Sequence, residues 1–158
     1  MAPPDVADPN ALAHPAVAAT TTETETIVWA RHAHWLLRFA LASIFVYHGV
    51  NKFRDLDGFA TMMDLSGTTA FFVALAETAG GAAVFLGGFK MPALTRLGGL
   101  VLIPVMVGAI VKLHWPRWSF TPAEGFPMGG MEFQVAMILL AAYFVVRGNG
   151  DVTQSDHA

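Results

Sequence analysis

A chain of 158 residues in which 54% are hydrophobic and 13% charged carries far less charge than the roughly 25% of an ordinary soluble domain, and its mean hydropathy is +0.51. So little polar surface cannot clothe a globule in water, and points to a bilayer as the solvent. The nine Lys and Arg residues form no basic run, which excludes nucleic acid as a partner, and the lack of cysteine excludes disulfide exchange, thiolate metal sites and iron–sulfur clusters.

Residues 1–26 are rich in Pro, Ala, Thr and acidic side chains and end in TTTETET, a composition that predicts a disordered tail. No basic stretch precedes an apolar one, so this is not a secretory signal peptide, and the first apolar helix is expected to act as the insertion signal. A transmembrane domain is expected over 27–150, with a short C-terminal tail over 151–158. Its first apolar span covers about 35–50 (WLLRFALASIFVYHGV), with a start as early as Ile27. The second covers about 68–86 (TTAFFVALAETAGGAAVFL), the third about 93–113 and the fourth about 133–146. Each approaches the roughly 20 residues that cross a hydrocarbon core, the first and fourth being short. The expected fold is therefore all-α, an integral membrane four-helix transmembrane bundle.

The connections carry turn residues: Asp55, Asp57 and Gly58, then Gly87, Gly88 and Pro92, and finally the long WPRWSFTPAEGFPMGG, whose aromatic rings suit the headgroup level. Four spans put both termini on one side. Arg31, Arg38, Lys90, Arg96 and Arg147 lie on that side, against Lys52, Arg54, Lys112 and Arg117 on the other. This bias, five positive charges against four, favours cytoplasmic termini.

A charged side chain at the centre of a spanning helix costs about 2.5–3.5 kcal/mol, so each needs a partner or a purpose. Glu77 lies about 13 Å into the second helix at 1.5 Å per residue. Gly81, Val84 and Gly88 share its face within about 40°, so another helix can approach closely. It is either half of an ion pair that fixes packing or a carboxylate that contacts a ligand or relays protons. On the first helix Arg38, Phe45, Gly49 and Lys52 share one direction, with His48 at its edge and four residues from Lys52. On the third helix Arg96 and His114 fall on one azimuth at opposite ends. Arg96 and Arg147 read as anchors at the inner interface, and Lys112 points away from His114 and snorkels. Glu132 opens the fourth helix, either as part of a site or as a charge favoured by the helix dipole. His48, Lys52, Glu77, His114 and Glu132 thus converge on the outer half of the bundle. A polar pocket is expected to open there, on the outward side.

These residues sit in strings that resemble the DoxX family of small bacterial membrane proteins: FVYHGVNKF, ALAETAGGAAVFLGG, the His114 helix end, GGMEF and the closing RGNGD. The resemblance covers about 36–151. It implies a four-helix membrane bundle in the bacterial inner membrane and a loose tie to quinone-linked redox chemistry. Related proteins form a subunit of thiosulfate:quinone oxidoreductase, and others associate with detoxifying envelope enzymes. No residue here marks a sulfur substrate. One expectation is a quinone-associated redox subunit in which Glu77, Lys52 and His48 act on the ligand, with His114 and Glu132 nearby and Phe45, Tyr47 and Phe72 lining the slot. A second is an accessory subunit that packs against other membrane or envelope subunits without chemistry of its own. A third, haem or metal held by His48, His114, Glu77 and Glu132, requires ligands at matched depth.

Overall fold

The computed structural model describes residues 32–149. The tail over 1–26, a start near Ile27 and the tail over 151–158 lie outside the described residues. The chain divides after His34 into two units. Of the first only residues 32–34 are described, and the second holds the helical body.

The helices are α1 (His34–Arg54), α2 (Leu56–Met63), α3 (Gly67–Gly87), α4 (Pro92–Ala109), which runs on into a π-helical turn (Ile110–His114), and α5 (Glu132–Arg147). Among the described residues there is no strand, only an isolated bridge between Ala123 and Phe126. Ser66 starts α3 by accepting the Thr69 N–H at 3.1 Å, and Pro92 stands at the start of α4, where a missing N–H costs nothing. Among the described residues two helical stretches are long and apolar enough to cross a membrane: Gly67–Gly87, with a mean hydropathy of 1.7, and Pro92–His114, with 2.0. α1 has the length, with 21 residues, but carries Arg38, Lys52 and Arg54, and α5 has only 16 residues.

The segment after α1, expected to be a turn, is instead the short helix α2. Asp55 is its N-cap, accepting the Gly58 N–H at 3.0 Å. An Asp three residues before a Gly satisfies a turn and a helix start equally well, and the apolar run LDGFATMM then decides for the helix.

Leu41 and Phe45 of α1, Val84 of α3, Leu102 and Met106 of α4 and Ala141 and Phe144 of α5 form one core. Glycines set how closely the helices approach. A Cβ on Gly49 of α1 would stand 2.7 Å from the Thr78 nitrogen and 2.8 Å from the Ala74 carbonyl of α3. One on Gly98 of α4 would stand 2.7 Å from the Gly80 carbonyl of α3, and one on Gly99 would stand 2.7 Å from the Ala141 carbonyl of α5. Each contact is with backbone, so the helices could not pack this closely with a side chain there. The outside is apolar on all four long helices: Phe39 is 66% exposed, Phe72 61%, Leu100 57% and Leu139 65%.

Candidate functional site

Among the described residues, buried polar groups gather around Arg38, around the Lys52–Glu77 pair and around His114. Between the start of α1 and the end of α5, Arg38 is wholly buried. Its guanidinium donates to the Val84 carbonyl of α3, to Thr95 Oγ1 of α4 at 2.9 Å, to the Gly148 carbonyl at 3.1 Å and to Asn149 Oδ1 at 2.8 Å. It lies 4.8 Å over the Phe144 ring. Thr95 donates in turn to Asn149 Oδ1 at 2.9 Å, and Asn149 donates to the Gly87 carbonyl at 3.0 Å. One fork of N–H donors therefore ties the start of α1 to α3, α4 and the end of α5, which is what a planar, five-donor group does well. Asn149, in the closing RGNGD, was not singled out in the sequence as part of any site.

The second cluster borders a cavity of about 360 Å³. Glu77 is the middle residue of α3 and is buried, and Lys52 donates to its Oε2 at 2.5 Å. The Lys52 ammonium also lies 5.1 Å from the Phe59 ring centroid of α2, within cation–π range. His48, one turn before Lys52, lines the cavity from an exposed position, and Phe45 lines it from the core. The remaining walls are largely apolar, with Val73 of α3, Val105 of α4 and Phe133 of α5 among them. The expected polar pocket is thus a largely apolar cavity with a charged pair in its wall. That pair comes from α1, where Lys52 follows His48 by one turn, and from the midpoint of α3.

His114 and Glu132 stand apart from it. The His114 ring is buried, with Nδ1 2.9 Å from the Gly129 carbonyl and Nε2 2.8 Å from the Gln134 amide nitrogen. An amide nitrogen only donates, so Nε2 accepts and Nδ1 carries the proton given to Gly129. Both ring nitrogens are committed to holding the 115–131 connection against α5. The π-helical turn explains the failed wheel geometry. Its wider i→i+5 winding rotates His114 away from Arg96, which is exposed while His114 is buried. Glu132 accepts the Phe120 N–H at 3.3 Å and serves the same connection.

Tyr47 and Phe72 do not line the cavity. They are 65% and 61% exposed, because at about 100° per residue Tyr47 lies about 160° from Phe45, and Phe72 about 140° from Glu77. Lys112 does not snorkel. It donates to the carbonyls of Met63 at 3.1 Å and Asp64 at 3.0 Å, closing the C-terminal end of α2, and it borders the cavity. Gln134, also on the cavity wall, went unnoticed as a lone amide in an apolar helix. Its Oε1 is buried without a hydrogen-bond partner. Among the described residues no group of three or more His, Asp or Glu is gathered as a metal site requires.

The family profile of DoxX matches residues 33–115. The Bacillus subtilis (strain 168) protein CatD, provisionally named an oxidoreductase, is 30% identical over 119 residues, which span 72% of this chain and 78% of CatD. No solved structure gives a significant match.

Proposed function

The chain belongs to the DoxX family, and from that premise and the cavity's geometry we propose that it is a membrane-embedded, quinone-associated redox subunit. The observation that carries this reading is the Lys52–Glu77 pair in the wall of a largely apolar cavity. Ligand pockets commonly have about 300–1,000 Å³ of mostly apolar wall and a few placed polar groups.

In this reading all four long helices cross the bacterial inner membrane. Large apolar side chains exposed on each of them support it, since a water-soluble surface rarely presents so much contiguous apolar area. The termini are cytoplasmic, which turns the cavity end outward. A partner protein in the envelope supplies the electrons.

A quinone, when bound, supplies a carrier for two electrons and two protons. The side chains present fit its head. Among the described residues Lys52 gives only one of its three N–H donors to an acceptor, so two remain for a ligand oxygen. Glu77, opposite, accepts a hydrogen bond from a ligand hydroxyl or holds a proton beside it. His48, exposed on one side and facing the cavity on the other, connects that end to solvent. Phe45, Phe59 and Val73 exclude water from the rest.

The accessory-subunit reading rests on glycine-rich faces, short helices and a small extramembrane mass, which suit packing against larger partners. Gly49, Gly80, Gly98 and Gly99 are instead occupied by the chain's own helices. Purification in mild detergent, followed by mass spectrometry of extracted lipids, tests the redox reading. The wild type is expected to carry quinone and the Glu77→Gln variant to lose most of it. No quinone in the wild type, or equal amounts in both, would overturn the proposal.

A further inference from the structure

Gly108 differs from Gly98 and Gly99, the other glycines of α4. A Cβ on Gly80, Gly98 or Gly99 would meet a neighbour within 3 Å, whereas one on Gly108 would meet nothing within 4 Å. Pro104, Gly108 and Lys112 follow one another at four-residue spacing, which makes them a single stripe along α4 and its π-helical turn. All three line the cavity, and all three are also exposed, as are the lining residues His48, Thr69, Met128 and Phe133. A residue that does both marks a place where the cavity reaches the outside. The stripe begins near the middle of the apolar stretch Pro92–His114 and rises about 12 Å towards its end at 1.5 Å per residue. Its lower part therefore lies at the depth of the hydrocarbon, well below the headgroups.

Resting on the membrane reading above, we propose that the Pro104–Gly108–Lys112 stripe is a side portal. Through it the apolar tail of a membrane-dissolved ligand extends into the bilayer while the head lies at Lys52 and Glu77. The ligand class is accordingly a polar head on a long apolar chain, a tailed quinone in preference to a water-soluble one. Such a ligand enters from the lipid and need never cross the headgroup layer. Gly108 is the position where the wall is lowest, because it has no side chain to stand in the gap.

The test uses the full chain in lipid nanodiscs and two benzoquinones with the same ring substituents, one with a decyl tail and one without. Gly108→Trp, which fills the gap, is expected to bind the tailed quinone about tenfold more weakly and to bind the tailless one as the wild type does. Equal binding of the tailed probe by variant and wild type, or equal loss of both probes, would overturn the portal. A second measurement needs no quinone. The chain has no cysteine, so a spin label on Gly108→Cys reports that site alone. Collisions with lipid-soluble oxygen should exceed those with a water-soluble nickel chelate, as they should for a label on the outward-facing Leu100→Cys. The reverse preference at Gly108 would show an opening to water and sink the proposal. Absence of quinone binding in the wild type together with oxygen-dominated collisions would remove the quinone reading and leave the portal standing.

Discussion

Replacing Lys52 by Met while keeping Glu77 asks how much of the fold depends on the pair that also defines the site. At 2.5 Å and an effective dielectric of about 20, the attraction is about 6–7 kcal/mol. Dehydrating the two ions costs several kcal/mol each, so the pair as a whole comes close to breaking even. The single variants should not be symmetric. The Glu77 side chain is 4% exposed and that of Lys52 19%. Lys52→Met strands the more deeply buried charge, and should cost about 3–5 kcal/mol. Glu77→Gln strands an ammonium at the edge of a cavity and should cost about 1–2 kcal/mol. The double variant removes both the attraction and the dehydration, and should fall within about 1 kcal/mol of the wild type, a coupling of about 3 kcal/mol or more. Reversible unfolding in mixed micelles, followed by far-ultraviolet circular dichroism, measures all four proteins under one condition. If Lys52→Met costs under about 1 kcal/mol, or the double variant costs the sum of the singles, then the pair is hydrated and does not lie in a low-dielectric interior.

At the opposite end, Arg38→Lys keeps the charge but loses the planar fork that reaches Val84, Thr95, Gly148 and Asn149. A loss of about 3 kcal/mol or more is expected in the same unfolding assay. Asn149→Ala, which removes bonds to Arg38, Thr95 and Gly87, should cost about 1–3 kcal/mol. Gly98→Ala should destabilise by about 1–3 kcal/mol because its methyl meets the Gly80 carbonyl at 2.7 Å. Gly108→Ala, with open space around it, should be neutral or stabilising by up to about 1 kcal/mol. Lys112→Met frees the end of α2, and amide hydrogen exchange in Leu56–Met63 should quicken by about tenfold.

The apolar stretches Gly67–Gly87 and Pro92–His114 were legible because hydropathy over a window of about 20 residues depends on no partner, and α1 and α5 were legible as shorter apolar runs. The Lys52–Glu77 pair was legible for a related reason. In so apolar a chain each charge stands out, and few opposite charges lie at a depth to meet it. Reasoning failed where two physical causes give the same sequence. An aromatic residue on a spanning helix suits a ligand slot and a lipid surface equally, so the residue types of Tyr47 and Phe72 said nothing about which way they face. The α2 segment reads as a turn or a capped helix from the same Asp and Gly. His114 was misplaced by the π-helical turn, since one stretch of wider winding redirects every residue after it. Gln134 carries no charge, so its cost in an apolar helix is too small to draw attention.

Arg38 and Lys52 show why charge inside an apolar helix does not by itself identify a site. Both are cations on α1, both are shielded from water, and both meet other helices of the chain. They differ in how their donors are spent. Arg38 has four acceptors on three other segments and an aromatic face beneath it, so the chain itself accounts for the group. Among the described residues Lys52 has one acceptor, one aromatic ring face and a cavity in front of it. An ammonium that pays dehydration and gives one hydrogen bond of a possible three leaves free energy to be gained by whatever oxygen enters that cavity. A saturated buried charge therefore serves as a fastener, and a half-saturated one beside a cavity serves as a receptor. The distinction is measurable: an added oxygen-bearing ligand should raise the stability of the wild type and leave Lys52→Met unchanged, while acting on Asn149→Ala as it does on the wild type.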